Sequence, residues 1–233
     1  MNIHKTASFG ISQVIALVFL GLLLSGPVFA KDKLPEVDSD GLHLVKKSKV
    51  KAAYIKPGTT LSQYNKVKLL DCYVDFVKNW ERDYNLNQFG LEGRIRDKDA
   101  EKIKNRLAAE FTKVFTKELT KKGFEVVDDT GADVLLLRPA LINVDVVAPD
   151  VMSAGMREIV VRSAGAMTLY MEMYDSSTST LIARVIDPRA DDEGFAQAAN
   201  RVTNKAAADR MLRHWADLLV RHLGSEMNGD KKN

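Results

Sequence analysis

The stretch that decides the fold is "AGAMTLYMEMYDSSTSTLIARVI", residues 164–186, in which two alternating segments flank a polar turn. One side of the first segment is apolar, and the other carries polar and aromatic groups. The apolar side consists of Met167, Leu169, Met171 and Met173, and the other of Thr168, Tyr170, Glu172 and Tyr174. Alternation of this kind predicts a half-buried strand, and "SSTST" predicts a hairpin turn into the strand "LIARVI".

The register of this hairpin follows from matching the apolar faces of its two strands. Placing Leu181, Ala183 and Val185 on the methionine face requires an odd loop of three or five residues. With five, Glu172 lies opposite Arg184, which predicts a cross-strand ion pair. The methionine row would also suit copper, but methionines at strand spacing favour core packing.

Three further segments have the pattern of strands. "ADVLLLRPALINVDVV" (132–147) is apolar almost throughout, as expected of a strand covered on both faces. Pro139 removes one ladder donor from it, which predicts a bulge or an edge there. "KVKLLDCYVDF" (66–76) alternates with Cys72 inward, and "FEVV" (124–127) is a short strand.

Two segments, 97–123 and 202–224, have apolar residues at three- and four-residue steps and predict long amphipathic helices. Gly123 suits the left-handed residue that closes the first helix. We therefore predict an α+β protein (an α/β sandwich) with a single mixed, mostly antiparallel sheet of about five strands. Both helices pack on one face of that sheet, giving two layers.

The amino terminus has the pattern of a secretory signal peptide. An apolar run, 14–24, is followed by Val28 and Ala30 at the −3 and −1 positions, which predicts cleavage after Ala30 and a periplasmic protein. The run is too short to span a bilayer. No cysteine stands directly after the predicted cleavage site, so we expect no lipoprotein anchor.

The remaining boundaries follow from composition. We expect a signal peptide over 1–30, an extended leader over 31–56, one domain over 57–224 and a disordered tail over 225–233. Leu42, Leu44 and Tyr54 could dock the leader against the domain.

A net charge of +3 at pH 7 gives no reason to expect binding to nucleic acid or a basic membrane-binding patch. The single cysteine excludes an intramolecular disulfide.

The order of these elements resembles a bacterial family of exported proteins catalogued as domain of unknown function 3313. The echoes are "YIKPGTTLSQYNKVKLLDCYV" (54–74), "GADVLLLRPALINV" (131–144) and "SAGAMTLYMEMYDSSTSTLIARVIDPRAD" (163–191). More remotely, the order is similar to periplasmic α/β domains of the Tol system and of curli secretion. The resemblance implies an exported or cell-envelope domain and supplies no catalytic residues. Many relatives look like lipoproteins, from which this chain departs.

The sequence contains no motif of a known catalytic or metal site. His-x-x-x-His, Cys-x-x-Cys, Gly-x-Ser-x-Gly and the phosphate-binding glycine loops are all missing. A calcium loop at "DPRADDE" (187–193) would place the cation Arg189 among its ligands, which argues against it. We therefore expect a protein that is not an enzyme and that holds no metal or cofactor.

Two functional hypotheses remain. In the first, the domain binds a protein or an envelope component, and homo-oligomerisation stays open. Its binding residues would be Tyr170, Glu172, Tyr174, Arg184, Asp187 and Arg189. In the second, Asp71, Asp75 and Arg138 form a carboxylate/arginine cluster on the sheet that binds a small ligand or serves a hydrolase.

Overall fold

A computed structural model describes residues 33–86, 94–146, 159–161, 165–190, 197–199 and 201–229. The predicted signal peptide lies outside these residues. Within them the strands are β1 (His43–Leu44), β2 (Ala52–Ile55), β3 (Lys66–Leu69), β4 (Tyr73–Phe76), β5 (Glu125–Val126), β6 (Val134–Val146), β7 (Ile159–Val161), β8 (Gly165–Asp175), β9 (Thr180–Ala190) and β10 (Gln197–Ala199). The helices are α1 (Trp80–Leu86), α2 (Asp97–Lys121) and α3 (Arg201–Gly229).

Eight strands form one open mixed sheet in the order β1-β2-β9-β8-β6-β3-β5, with β4 beside β6. The neighbours from β1 to β6 are antiparallel, whereas β3 and β4 run parallel to β6 and β5 runs parallel to β3. The prediction of about five strands was therefore too low. The predicted strand 66–76 divides into β3 and β4, and the expected leader supplies β1 and β2, which are too short to show alternation.

Pro139 lies in β6, between β8 on one side and the β3–β4 line on the other. The break between β3 and β4 at residues 70–72 lies beside this proline, which has no N–H to donate. The prediction of a bulge or an edge at Pro139 is thus corrected, because the neighbouring strand is interrupted instead. The bulge comes later, where Asn143 adopts a φ of 51°.

The β8–β9 hairpin confirms the predicted pairing of Glu172 with Arg184 but reaches it differently. Its loop has four residues, 176–179, because Asp175 pairs with Thr180. Ile182 has no partner residue in β8 and forms a bulge in β9. This bulge shifts the register of the two strands by one residue, which is the shift that we had assigned to a fifth residue of the loop. As a consequence, Leu181 packs on the face away from the methionines.

The helices α2 and α3 pack against each other and against one face of the sheet, as predicted. The methionine row of β8 meets Phe111 and Phe115 of α2 and Trp215 of α3 in the main core. Full burial of each such side chain stabilises the fold by about 1.5–3 kcal/mol. Gly123 follows α2 with a φ of 91°, which confirms its predicted role.

The opposite face of the sheet, here called the outer face, is partly covered by the segment that precedes β2. Leu42 and Tyr54 are buried there with Ala52, against Leu181 and Ile186. The segment expected to be an extended leader is therefore part of the packed structure from Leu34 onward, which belongs to one compact unit.

The carboxyl-terminal helix is longer than predicted. Because α3 continues to Gly229, residues 225–229 of the expected disordered tail are helical, while 230–233 lie outside the described residues. In the described ranges, no helix is long and apolar enough to cross a membrane.

Candidate functional site

Four of the predicted binding residues meet on the outer face in an ion cluster centred on Glu172. Residues two apart on a strand share a face, so Tyr170, Glu172 and Tyr174 align along β8. The Glu172 carboxylate accepts hydrogen bonds from the Tyr170 hydroxyl at 2.9 Å, the Tyr174 hydroxyl at 2.7 Å and the Arg184 guanidinium at 3.0 Å. Glu172 is only 7% exposed.

Arg184 joins this cluster to the segment that precedes β1. Its guanidinium contacts Asp38 at 2.6 Å and Asp40 at 2.7 Å in addition to Glu172. Arg138, from β6, adds a second cation at 3.4 Å from Glu172. The cluster therefore ties three strands of the sheet and the amino-terminal segment together.

The surroundings of Glu172 and Tyr170 shift the pKa values of both groups away from neutral pH. Burial by itself raises the pKa of Glu172, but the hydrogen bonds from Tyr174, Arg184 and Tyr170 outweigh it and lower that pKa. Burial and the Glu172 carboxylate raise the pKa of Tyr170 to about 12. Glu172 is thus ionised and Tyr170 neutral at pH 7, and neither has the pKa of an acid–base catalyst.

The other two predicted binding residues, Asp187 and Arg189, lie on the helix-facing side of the sheet. Asp187 accepts hydrogen bonds from the Trp215 indole at 2.8 Å, the Lys51 backbone N–H at 2.8 Å and Arg189 at 3.1 Å. Arg189 also contacts the His214 ring at 2.5 Å, and burial followed by the Arg189 charge lowers the pKa of His214. The six residues therefore form two groups on opposite faces.

The residues of the second hypothesis are not brought together. Asp75 pairs with Lys104 of α2 at 3.2 Å, and Arg138 pairs with Glu172. Asp71 is exposed between β3 and β4. Among the described residues, no group of three or more histidine, cysteine or acidic side chains could hold a metal ion.

A feature that the sequence did not reveal is a cavity of about 550 Å³ between the sheet and α3, here called the α3 cavity. Its lining is mainly apolar, and its mouth lies at the loop 45–50. The partly exposed apolar side chains of the lining are Val45, Val50, Ala53, Val185 and Leu218, and the mouth includes Lys47, Lys49, Arg221 and His222. Core side chains that are 1–8% exposed, Leu169, Met171, Met173, Trp215 and Leu219, close the base. Such a volume is in the range of small-molecule sites.

A second cavity, of about 430 Å³, lies between α2 and α3 at the ends of β6 and β8. Its lining contains charges of both signs, and the Lys205–Glu110 ion pair, at 3.0 Å, links the two helices there. The α3 cavity differs in that the charged side chains at its mouth are all basic. No single segment of the sequence predicts the α3 cavity, because β2, β8, β9 and α3 all contribute to it.

Comparison with solved structures gives matches of low identity and low TM-score. The PelC dodecamer from Paraburkholderia phytofirmans is 10% identical, with 70% of this chain and 93% of that one covered and a TM-score of 0.34. A minor lipoprotein from Acinetobacter baumannii is 9% identical (70% and 94% covered, TM-score 0.33). A putative neuraminyllactose-binding hemagglutinin homolog from Helicobacter pylori is 11% identical (76% and 96% covered, TM-score 0.34). Likenesses this slight carry no conclusion about function.

A search of curated proteins finds no match. The sequence itself identifies a family, as the resemblance predicted. Residues 37–219, which include the sheet from β1 to β9 and most of α3, match the family described as "Protein of unknown function (DUF3313)", and the chain belongs to that family.

Proposed function

We propose that this protein is an exported, non-enzymatic binding domain that takes an apolar or amphipathic component of the cell envelope into the α3 cavity. The observation that carries the proposal is the cavity itself, about 550 Å³ and lined by partly exposed apolar side chains such as Ala53, Val185 and Leu218. Sites for small molecules are typically concave and mostly apolar, with a few polar groups at defined positions. The α3 cavity has this character.

The charged groups of the described residues support binding rather than catalysis. Glu172 and Asp187, two buried carboxylates, are each occupied by three hydrogen bonds. Burial raises the pKa of Cys72 to about 12, so its thiol is protonated at neutral pH and is a poor nucleophile. The contacts of these groups stabilise the fold, which supports the proposal of a non-enzymatic role.

Export is part of the proposal and rests on the signal-peptide pattern of residues 1–30. In the periplasm the domain would meet envelope lipids and proteins. A protein partner and homo-oligomerisation stay predictions from the sequence. Sedimentation velocity of the purified protein measures its oligomeric state.

Filling the cavity tests the proposal. Ala53 on β2 lines it, and Ala53→Trp would place an indole in the space. Protein is purified in the form that cells export and titrated with the neutral apolar fluorophore N-phenyl-1-naphthylamine. We expect saturable binding that Ala53→Trp weakens at least tenfold.

The matched control is Thr112→Trp, which adds the same side chain on the exposed surface of α2 and should bind the fluorophore as the parent does. Thermal unfolding establishes that both variants are folded. A folded parent that does not bind, or a folded Ala53→Trp variant that binds normally, would overturn the proposal.

A further inference from the structure

We infer that the ligand of the α3 cavity is a single-chain fatty acid whose carboxylate lies at the basic rim and whose chain lies along the apolar groove beside that rim. This inference rests on the proposed function. The basic rim consists of Lys47, Lys49, Arg221 and His222, and the apolar groove of Val50, Ala53, Val185 and Leu218. A cavity that is apolar at its base and positively charged at its mouth matches a ligand with the opposite charge at one end.

The charge of the mouth comes from two separate parts of the chain. Lys47 and Lys49 lie on the loop between β1 and β2 and are exposed, and in the described part of the chain neither forms a salt bridge. Arg221 lies on α3 and is ion-paired with Asp217. No carboxylate is among the described residues that line the cavity. The mouth therefore attracts anions and repels cations.

The apolar groove suits a hydrocarbon chain. Val50 and Ala53 border it near β2, Val185 on β9 and Leu218 on α3, and all four side chains are partly exposed. The methionine row of β8, at 1–5% exposure, is covered and only closes the base of the cavity. A chain can therefore lie along the groove against the partly exposed side chains.

The structure also indicates how tightly different ligands should bind. Each buried methylene contributes about 0.8 kcal/mol, so two added methylenes should tighten binding about tenfold while the chain still fits. The exposed lysines act through partly screened ion pairs. Removing both should weaken fatty-acid binding about three- to tenfold and leave a neutral ligand unaffected.

The fluorescence of Trp215 provides a direct readout. The chain has two tryptophans, and Trp80 lies in a separate cluster, so Trp80→Phe leaves Trp215 as the only indole and places it at the cavity. This variant is titrated with dodecanoate, dodecanol and dodecyltrimethylammonium, and dodecanoate is compared with octanoate. We expect dodecanoate to bind most tightly, octanoate more weakly and the cation least.

The charge requirement is tested by Lys47→Gln/Lys49→Gln in the same background. This double variant should lose affinity for dodecanoate and keep its affinity for dodecanol. The control is Lys98→Gln/Lys117→Gln, which removes two exposed lysines of α2 away from the cavity and should change neither affinity.

The outcomes separate this inference from the proposed function. If all three dodecyl compounds bind equally, or if the double variant binds dodecanoate as the parent does, the cavity binds apolar ligands but the fatty-acid inference is wrong. If the cation binds most tightly, the inference is also wrong. If no dodecyl compound binds to the folded protein, the proposed function fails as well.

Discussion

Replacing Asp187 by alanine should destabilise the fold strongly, because this carboxylate anchors α3 to the sheet. Asp187 is 5% exposed and Trp215 is 2% exposed. The substitution leaves the Trp215 indole N–H and the Lys51 backbone N–H without their acceptor. Hydrogen bonds to a charged group contribute about 1.5–3 kcal/mol each, so we expect a loss of about 3–5 kcal/mol.

This loss is large compared with the total stability of a typical domain, about 5–15 kcal/mol. Asp187→Asn retains one acceptor oxygen and should cost less, about 1–2 kcal/mol. Arg189→Ala removes an ion pair whose arginine side chain is 33% exposed, and it should cost no more than about 1 kcal/mol. The graded series distinguishes the anchoring of Trp215 from simple charge removal.

Equilibrium urea unfolding, followed by far-ultraviolet circular dichroism at pH 7, measures these differences. Asp71→Ala is the matched control, since Asp71 is an exposed carboxylate and its removal should change the free energy of unfolding by less than about 0.5 kcal/mol. If Asp187→Ala were no more destabilising than Asp71→Ala, the assignment of Asp187 as the anchor of α3 would be refuted.

Two further predictions concern titratable groups. The folded state lowers the pKa of Glu172, so its contribution is present at pH 7 and lost as the pH falls below about 4.3, the value in an unfolded chain, and through the folded-state pKa. The stability difference between the parent and Glu172→Gln should therefore shrink between pH 7 and pH 3 in urea unfolding, and a difference independent of pH would contradict this. Cys72 is buried with its pKa raised to about 12, so iodoacetamide at pH 8 should label it in urea but only slowly in the native protein, as mass spectrometry can measure. Rapid native labelling would show that the thiol is accessible.

The sequence by itself determined the elements whose patterns are long and local. Alternation along β8 was enough to assign its two faces. The pairing of Glu172 with Arg184 also needed a loop length, and the five-residue loop that predicted it is a four-residue loop followed by a bulge at Ile182. Periodicity was likewise enough to predict α2 and α3 and their packing on one face of the sheet. These features depend on residues a few positions apart, and the hairpin brings its own partners together. They could therefore be predicted before any long-range contact was known.

The tertiary structure decided what depends on distant segments. β1 and β2 are too short to have a recognisable pattern, and they form only because β9 offers an edge to which β2 can pair. Asp187 lies just beyond the predicted strand 181–186 and was a candidate binding residue, but α3 places the Trp215 indole against it as a structural partner. The α3 cavity likewise exists only where a basic loop, one face of the sheet and one helix face meet. Local periodicity shows which side of an element is apolar, but packing alone determines which apolar surfaces meet and where they leave a space between them.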